Sequence, residues 1–228
     1  MPITTCVFDA YGTLFDVASA ARVAATEPAF GAIKEDWTVI AEHWRQKQLQ
    51  YSWLRAVTGA HTDFWEVTKN GLDWALEKTG HADDPDLRAR LLSLYWELQA
   101  YPEVPATLAA LKAGGLNTAI LSNGSPEMLQ GAVHSAGVNE LLDVSLSVQS
   151  VGIFKPAASV YDLVGAHFGC SNDEVLFVSS NGWDAAAATG YGFATAWVNR
   201  AKDPMDRLPW QPMHVMTDLK EIPGLVGL

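Results

Sequence analysis

The fold of this chain is decided near its amino terminus by the stretch Val7-Phe8-Asp9-Ala10-Tyr11-Gly12-Thr13-Leu14-Phe15. An apolar run ends abruptly at Asp9, and a glycine-containing turn follows it. A short apolar run that is bounded by turn residues indicates a buried β-strand. In open α/β sheets, ligands bind just beyond the carboxyl ends of the strands, so Asp9 stands where chemistry usually occurs. Asp9 could equally cap a helix or stabilise the turn, and this stretch alone does not separate the two interpretations.

The composition limits the partners that the 228-residue chain is expected to have. Its formal net charge of −11 argues against nucleic acids and anionic membrane surfaces, and an anionic substrate would need a cation close to its binding site. No run of about 18 apolar residues occurs, and no signal-peptide pattern precedes Asp9, so we expect no membrane span. The two cysteines, Cys6 and Cys170, are not in a metal-binding spacing and suit a reducing cytoplasm.

Hydrophobic periodicity divides the chain into two regions. Helical patterns over residues 17–30, 37–57, 64–76 and 87–98 predict a helical insert. The remainder alternates strands with helices, with predicted strands at residues 4–8, 118–121, 142–148, 175–178, 194–198 and 214–216. This alternation predicts an α/β fold with a mostly parallel sheet. We therefore expect a core domain formed by residues 1–15 and 101–228, and a helical cap subdomain formed by residues 16–100.

Three of the predicted strands end in short side chains that form hydrogen bonds. The residues at these ends are Asp9 with Thr13, Ser122 with Asn123, and Ser179 with Ser180 and Asn181. Because parallel strands bring such ends to one edge of a sheet, the hydroxyls and amides could hold the Asp9 carboxylate in one orientation. Serine, asparagine and glycine are also common turn residues, which explains each end separately but explains the three together less well.

Lys155 stands directly before Pro156 at a predicted helix start, where a cation is unfavourable to the helix dipole. Placement against a local preference indicates a partner elsewhere in the fold. A buried lysine beside Asp9 would keep that carboxylate ionised. An exposed loop lysine is the alternative.

The motifs together resemble those of the haloacid dehalogenase superfamily and, within it, the L-2-haloacid dehalogenases of type II. They run in order over nearly the whole chain and are Asp9-Ala10-Tyr11-Gly12-Thr13-Leu14, Leu121-Ser122-Asn123, Lys155-Pro156 and Val178-Ser179-Ser180-Asn181-Gly182-Trp183-Asp184. The segment of residues 44–55 is similar to the first long cap helix of that family. The resemblance implies a Rossmann-like parallel-sheet core with an inserted helical cap, and a homodimer that forms through the cap.

The resemblance implies nucleophilic catalysis by Asp9, which would displace halide from C2 of an L-2-haloalkanoate and form an ester. Water would then hydrolyse the ester and release a D-2-hydroxy acid. The implied catalytic residues are Asp9; Thr13, Lys155 and Ser179, which would orient Asp9; Asn181 and Asp184, which would position or activate the water; and Tyr161, which would lie behind Lys155.

The resemblance also implies a binding site for the substrate and the halide. Ser122 would hold the substrate carboxylate, while Arg45, Asn123 and the edge of Trp183 would hold the halide. Periodicity alone favours an ordinary surface salt bridge for Arg45, and the resemblance reverses that preference. The pocket walls would be Tyr11, Gln46, Leu49, Phe64 and Trp183.

A metal-dependent phosphatase of the same superfamily and a non-catalytic anion-binding protein are the alternatives. Phosphatases of the superfamily carry a second aspartate two positions after the first, where this chain has Tyr11. Ser179, Ser180 and Asn181 stand where an acidic metal ligand would be expected, and neutral groups are poor ligands for Mg²⁺. Halide is a weak base that needs no proton, so we expect carbon–halogen cleavage without a metal or an organic cofactor.

Overall fold

A six-stranded parallel sheet forms the centre of the structure, a computed structural model that describes residues 2–228. The strands are β1 (Thr5–Phe8), β2 (Asn117–Ser122), β3 (Val144–Ser147), β4 (Val175–Ser179), β5 (Ala194–Val198) and β6 (His214–Met216), in the order β3-β2-β1-β4-β5-β6. Phe8, the last residue of β1, pairs with Ile120 of β2 and with Val178 of β4. The sheet confirms the predicted α/β fold and brings the carboxyl ends of β1, β2 and β4 side by side.

Four α-helices lie within residues 16–100, between β1 and the point where the chain returns to the sheet, namely α1 (Ser19–Ala24), α2 (Trp37–Thr58), α3 (Phe64–Thr79) and α4 (Pro85–Trp96). The side chain of Asp63 caps α3, and Gly59 ends α2 in the left-handed conformation with a φ of 68°. The prediction of one continuous helix over residues 17–30 is wrong. Glu27 is extended because it precedes Pro28, and a 3₁₀ helix (Pro28–Ile33) follows.

Five further α-helices lie within residues 101–228, and they are α5 (Val104–Ala113), α6 (Pro126–Ser135), α7 (Ala158–Phe168), α8 (Gly182–Tyr191) and α9 (Ile222–Leu225). Ser125 caps α6 through the Met128 N–H, so the turn after β2 is short. The turn from β4 into α8 contains only Ser180 and Asn181. These two short turns place polar side chains directly above the end of β1.

The helical segment leaves and rejoins the rest of the chain at one place. Phe15 and Ala100 form an isolated antiparallel bridge, and the Tyr101 N–H donates to the Leu14 carbonyl at 3.0 Å. This crossing agrees with an insert, although the exact division into core domain and cap subdomain stays a prediction. Met1, which the predicted core domain includes, lies outside the described residues. No helix within residues 2–228 is both long enough and apolar enough to cross a lipid bilayer.

Candidate active site

The carboxylate of Asp9 lies just past the end of β1 and receives hydrogen bonds from three side chains. Its Oδ1 accepts from Lys155 Nζ at 3.1 Å, while its Oδ2 accepts from Thr13 Oγ1 and from Asn181 Nδ2, each at 3.1 Å. Asp9 is buried, and its own N–H donates to the Val178 carbonyl of β4. Two of these three donors, Lys155 and Asn181, come from distant parts of the chain, which a simple helix cap or turn aspartate does not require.

Lys155 lies between two carboxylates and is buried. Its Nζ is 3.1 Å from Asp9 Oδ1 and 2.8 Å from Asp184 Oδ2, and the ammonium also lies 4.9 Å from the centre of the Phe177 ring. Burial by itself lowers the pKa of Lys155, but Asp184 and Asp9 raise it, and the net shift is upward. The lysine therefore stays protonated. It pairs with Asp9, as predicted, and with a second partner, Asp184, that was not predicted.

Asp184 is fully buried in the first turn of α8 and is held from both sides. Its Oδ1 accepts from Tyr161 Oη at 2.7 Å, and its Oδ2 accepts from Ser179 Oγ at 3.1 Å as well as from Lys155. Burial raises the pKa of the Asp184 carboxyl, and the charge of Lys155 opposes that rise. Burial and the nearby Asp184 carboxylate shift the pKa of Tyr161 far upward, so its hydroxyl stays a donor.

The prediction that Ser179 contacts Asp9 is wrong, because the Ser179 hydroxyl turns towards Asp184. Side chains alternate between the two faces of a strand, and the residue that reaches the Asp9 side is the next one, Ser180. The Ser180 N–H donates to Thr13 Oγ1 at 2.8 Å, and its hydroxyl lies 3.2 Å from the same atom. Ser180 thus holds Thr13 in place, a role that the sequence motif did not assign.

Arg45 reaches the site from α2 and makes its hydrogen bonds to neutral oxygen atoms. Its guanidinium donates to the Tyr11 carbonyl at 3.0 Å and to Asn181 Oδ1 at 3.1 Å. Asn181 therefore joins Arg45 to Asp9, because its amide nitrogen donates to Asp9 Oδ2. Since neither partner of Arg45 carries a charge, the cation keeps its attraction for an incoming anion.

The turn after β2 supplies the opposite side of the site. Ser122 is buried and accepts the Gly124 N–H at 3.1 Å, while the Asn123 Oδ1 atom accepts the Lys155 N–H at 2.9 Å. Gly124 lies so close to Tyr11 that a Cβ atom added there would be 2.7 Å from the ring. A glycine is therefore needed at this position for the turn to pack against Tyr11.

These side chains surround one enclosed cavity. It is lined by Asp9, Tyr11, Arg45, Leu49, Phe64, Ser122, Asn123, Lys155, Asn181 and Trp183, all of which the sequence singled out. The space open to the centre of a water-sized sphere is about 10 Å³, which is room for roughly one water molecule. Two buried polar atoms at the cavity, Tyr11 Oη and Trp183 Nε1, have no hydrogen-bond partner. Such orphaned groups are costly unless a bound molecule satisfies them, so they indicate a polar ligand.

Gln46 does not reach this cavity, and the prediction that it forms a pocket wall is wrong. It is exposed on α2, where its Nε2 lies 3.1 Å from Glu42 Oε1. Neighbouring residues of a helix point in directions about 100° apart, so Gln46 cannot share the direction of Arg45. The glutamine on the buried side of α2 is Gln48, which donates to Tyr95 Oη at 3.0 Å. Tyr95 in turn stacks on Tyr11 with 5.6 Å between ring centres.

Arg200 is a second residue that the motifs missed. Its guanidinium donates to the Thr13 carbonyl at 2.9 Å, pairs with Glu103 at 2.8 Å and lies 3.6 Å from the centre of the Tyr101 ring. It therefore links the turn that carries Thr13 to the point where the helical segment rejoins the chain. No local sequence pattern signals this contact, because its partners lie far apart in the chain.

The groups that contact the Asp9 carboxylate are one cation, Lys155, and two neutral donors, Thr13 and Asn181. Within residues 2–228, no group of three or more histidine, cysteine, aspartate or glutamate side chains is arranged to hold a metal. The space between Asp9 and Asp184 holds the Lys155 ammonium, which supplies the positive charge there.

Comparisons with known proteins agree in pointing to one family. The family model for haloacid dehalogenase-like hydrolases matches residues 3–192. A curated relative, (S)-2-haloacid dehalogenase 1 of Pseudomonas sp. (strain CBS-3), is 44% identical over 225 residues, which is 99% of this chain and 97% of the relative. A solved L-2-haloacid dehalogenase of Xanthobacter autotrophicus with chloropropionic acid covalently bound superposes with a TM-score of 0.87 at 39% identity, covering 98% of each chain. A dehalogenase structure with an intermediate complex gives a TM-score of 0.91 at 39% identity, covering 98% of this chain and 97% of that one.

Proposed function

The chain belongs to the haloacid dehalogenase-like hydrolases, and on that basis we propose that it hydrolyses L-2-haloalkanoic acids to D-2-hydroxy acids. The observation that carries the proposal is the buried Asp9 carboxylate, which three donors aim into an enclosed cavity that also contains Arg45. The (S)-2-haloacid dehalogenases that resemble this chain over nearly its whole length, and the related structure with covalently bound chloropropionic acid, support the same reaction.

In the first step, Asp9 Oδ1 attacks C2 of the substrate from the side opposite to the halogen. Oδ1 is the attacking atom because it accepts one hydrogen bond, whereas Oδ2 accepts two. The new bond joins Oδ1 to C2, the carbon–halogen bond breaks, and its electron pair leaves with the halide. A single displacement inverts the configuration at C2 and leaves an ester on Asp9.

In the second step, water attacks the carbonyl carbon of the Asp9 ester. Negative charge then develops on Oδ2, where Thr13 and Asn181 already donate and act as an oxyanion hole. The bond from that carbon to Oδ1 breaks, and Oδ1 leaves as the hydroxyl oxygen of the product. One water proton goes to this oxygen and the other is released. We infer that Asp184 takes up this proton by way of Lys155, whose ammonium donates to both carboxylates.

The departing halide and the substrate carboxylate are bound on two sides of Asp9. Arg45 and the unpartnered Trp183 Nε1 receive the departing halide, together with the amide of Asn123. Ser122 and the backbone of its turn hold the substrate carboxylate, and Lys155 balances the charge of Asp9. Leu49, Phe64 and Trp183 form apolar walls that keep the attacking carboxylate away from bulk water.

Tyr11 separates this reaction from phosphate-ester hydrolysis. A phosphatase needs an acid to protonate its leaving alkoxide, and burial raises the pKa of Tyr11 well above its usual value, so the phenol is a weak acid here. Halide needs no proton to leave, so the dehalogenation does not depend on a general acid at this position.

The reaction is tested by measuring the incorporation of ¹⁸O and the release of chloride together. In a single turnover with excess enzyme in ¹⁸O-water, label should enter Asp9, and L-2-chloropropionate should release one chloride per D-lactate formed. Label found only in the product would rule out the ester. Asp9→Ala should release no chloride, whereas the control Asp36→Asn, which alters an exposed carboxylate, should retain activity. Phosphate release that requires Mg²⁺ would favour the phosphatase, and halide binding without turnover would favour an anion-binding protein.

Three further expectations accompany this function. We infer a homodimer that forms through the helical segment and a cytoplasmic location, which the family resemblance and the two free cysteines support. We also infer that residues 16–100 act as a cap subdomain over the Asp9 site, since α2 and α3 supply Arg45, Leu49 and Phe64 to the cavity. Light scattering tests the dimer, and activity after dialysis against EDTA tests independence from metal.

A further inference from the structure

An apolar groove of about 300 Å³ lies on the outside of the enclosed cavity. All of its lining side chains are apolar, and they include Trp53 and Val57 of α2, Ala187 of α8, and Leu208 and Trp210 of the loop before β6. Val57 is 87% exposed and Trp210 is 52% exposed. A concave apolar surface of this volume is the usual form of a binding site for a small apolar ligand.

The groove continues the lining of the enclosed cavity along two helices. On α2, Arg45 and Leu49 line the cavity, and Trp53 and Val57 line the groove at the same four-residue spacing. Each step of four residues turns the side chains by about 40° around the helix, so the row that begins in the cavity at Arg45 winds outwards and reaches the groove at Trp53 and Val57. From Leu49 to Val57 the helix rises about 12 Å, which is the length of path along it.

The second helix repeats this arrangement. Trp183 of α8 lines both spaces, and Ala187, four residues later, lines only the groove. The Trp183 indole packs edge-on against Trp53 with 5.3 Å between ring centres, so these two rings form the partition between the cavity and the groove. Trp53 is 37% exposed, which leaves it space to rotate outwards.

The far wall of the groove is held in place by close packing. The Trp210 ring lies against α8 at Gly190, where an added Cβ atom would be 2.4 Å from the ring. This contact fixes the loop that carries Leu208 beside Trp183. The apolar surface is therefore held in a fixed position by the packing of the fold.

We propose that this groove binds the hydrocarbon chain of 2-haloalkanoic acids, from about the fourth carbon outwards. The proposal rests on the proposed function, and it names the longer-chain acids as a substrate class. The enclosed cavity has room for roughly one water molecule, so it widens when any 2-haloacid binds, and the groove is the adjoining apolar space for a chain longer than that of propionate. Outward rotation of Trp53 joins the two spaces while Trp183 stays at the halide, and the chain then lies on apolar surface with C2 at Asp9.

The test compares (S)-2-bromododecanoate with (S)-2-bromopropionate, so that the halogen is constant and the longer chain is long enough to reach Val57. For the wild-type chain we expect kcat/KM to be at least as high for the twelve-carbon acid. Val57→Glu and Leu208→Glu place a charge in the groove and should lower the ratio of the two kcat/KM values about tenfold, which corresponds to the burial of about two methylene groups. The control is Leu54→Glu, which alters an exposed residue of α2 outside the groove and should leave the ratio within about twofold.

Each other outcome overturns the proposal in a recognisable way. Wild-type turnover of bromopropionate without turnover of bromododecanoate shows that the groove takes no chain, and so does an equal effect of Val57→Glu on both acids. If Val57→Glu changes the oligomeric state by light scattering and alters both rates, a second copy of the chain covers the groove. No bromide from either acid in the wild type contradicts the proposed function itself, so the two failures are distinguishable.

Discussion

Replacing Lys155 by methionine tests the charge arrangement at the centre of the site. The substitution keeps a long apolar stem but leaves the Asp9 and Asp184 carboxylates without their shared cation, and all three side chains are buried. Removing one partner of a buried ion pair costs about 3–5 kcal/mol of the free energy of unfolding. For a chain of this length each kcal/mol corresponds to about 2–4 °C, so we expect the melting temperature to fall by roughly 6–20 °C.

The pH dependence of this loss identifies its cause. Because the folded-state pKa of Lys155 lies above its ordinary value, its stabilisation is fully present at neutral pH and is lost only as pH rises through that raised value. Without the lysine, nothing opposes the burial that raises the pKa of the Asp184 carboxyl above its usual value. The variant should then gain stability relative to the wild type as pH falls from 8 to 5, because one carboxyl becomes protonated.

Urea unfolding of the wild type and of Lys155→Met at pH 8, 6.5 and 5 measures this difference, and Lys112→Met is the control. Lys112 pairs with Asp143 at the surface, and such pairs contribute at most about 1 kcal/mol. The double variant Lys155→Met/Asp184→Asn should recover about 2 kcal/mol of the loss, since it removes one of the unpaired carboxylates. A loss below about 1 kcal/mol for Lys155→Met, or one that is constant with pH, would refute the assigned ion pairs.

Three further substitutions have defined outcomes. Asn181→Ala removes a donor to Asp9 Oδ2 and an acceptor for Arg45. The kcat for L-2-chloropropionate should therefore fall about 10²–10³-fold, which is the usual effect of removing an oxyanion-hole donor. An unchanged kcat would contradict that role. Tyr161→Phe deletes the donor to Asp184 Oδ1 and should lower the free energy of unfolding in urea by about 1–3 kcal/mol. The control is Tyr191→Phe, whose hydroxyl pairs with Asp162 near the surface, and its loss should be smaller. Gly12→Ala should lower the free energy of unfolding by at least about 1–2 kcal/mol, because Gly12 has a φ of 90° and the added Cβ atom would lie 2.9 Å from Ser180 Oγ. A melting temperature equal to that of the wild type would contradict this.

The positions of the strands were predictable because the sequence signals for strands are local. Apolar runs that end in Asp9, Ser122 and Ser179 place the ends of β1, β2 and β4 within one or two residues of their observed positions. Parallel pairing then brings those ends together whatever the details of packing. The cavity could therefore be anticipated from residues that follow strands.

The contacts that the sequence did not reveal depend on direction and on distant packing. Ser179 and Ser180 differ only in the face to which each side chain points, and Gln46 and Gln48 differ in their direction around α2. Family motifs name positions but carry no information on such directions. Arg200 contacts Thr13 across 187 residues of sequence, so its role depends entirely on tertiary structure.

The charges at the site explain how an acidic chain can process an anion. Asp9 and Asp184 are balanced by Lys155 and Arg45, so the four groups together are neutral, and the remaining charge of the chain is screened beyond about 8 Å at physiological ionic strength. When Asp9 becomes an ester it loses its negative charge, and the halide that leaves carries one negative charge away. The reaction therefore moves one negative charge from the side of Lys155 towards Arg45, whose hydrogen-bond partners are neutral oxygens. A cation that is held in place but not neutralised stabilises that movement more than a surface arginine in an ion pair would, because its attraction is directed at the charge that appears in the transition state.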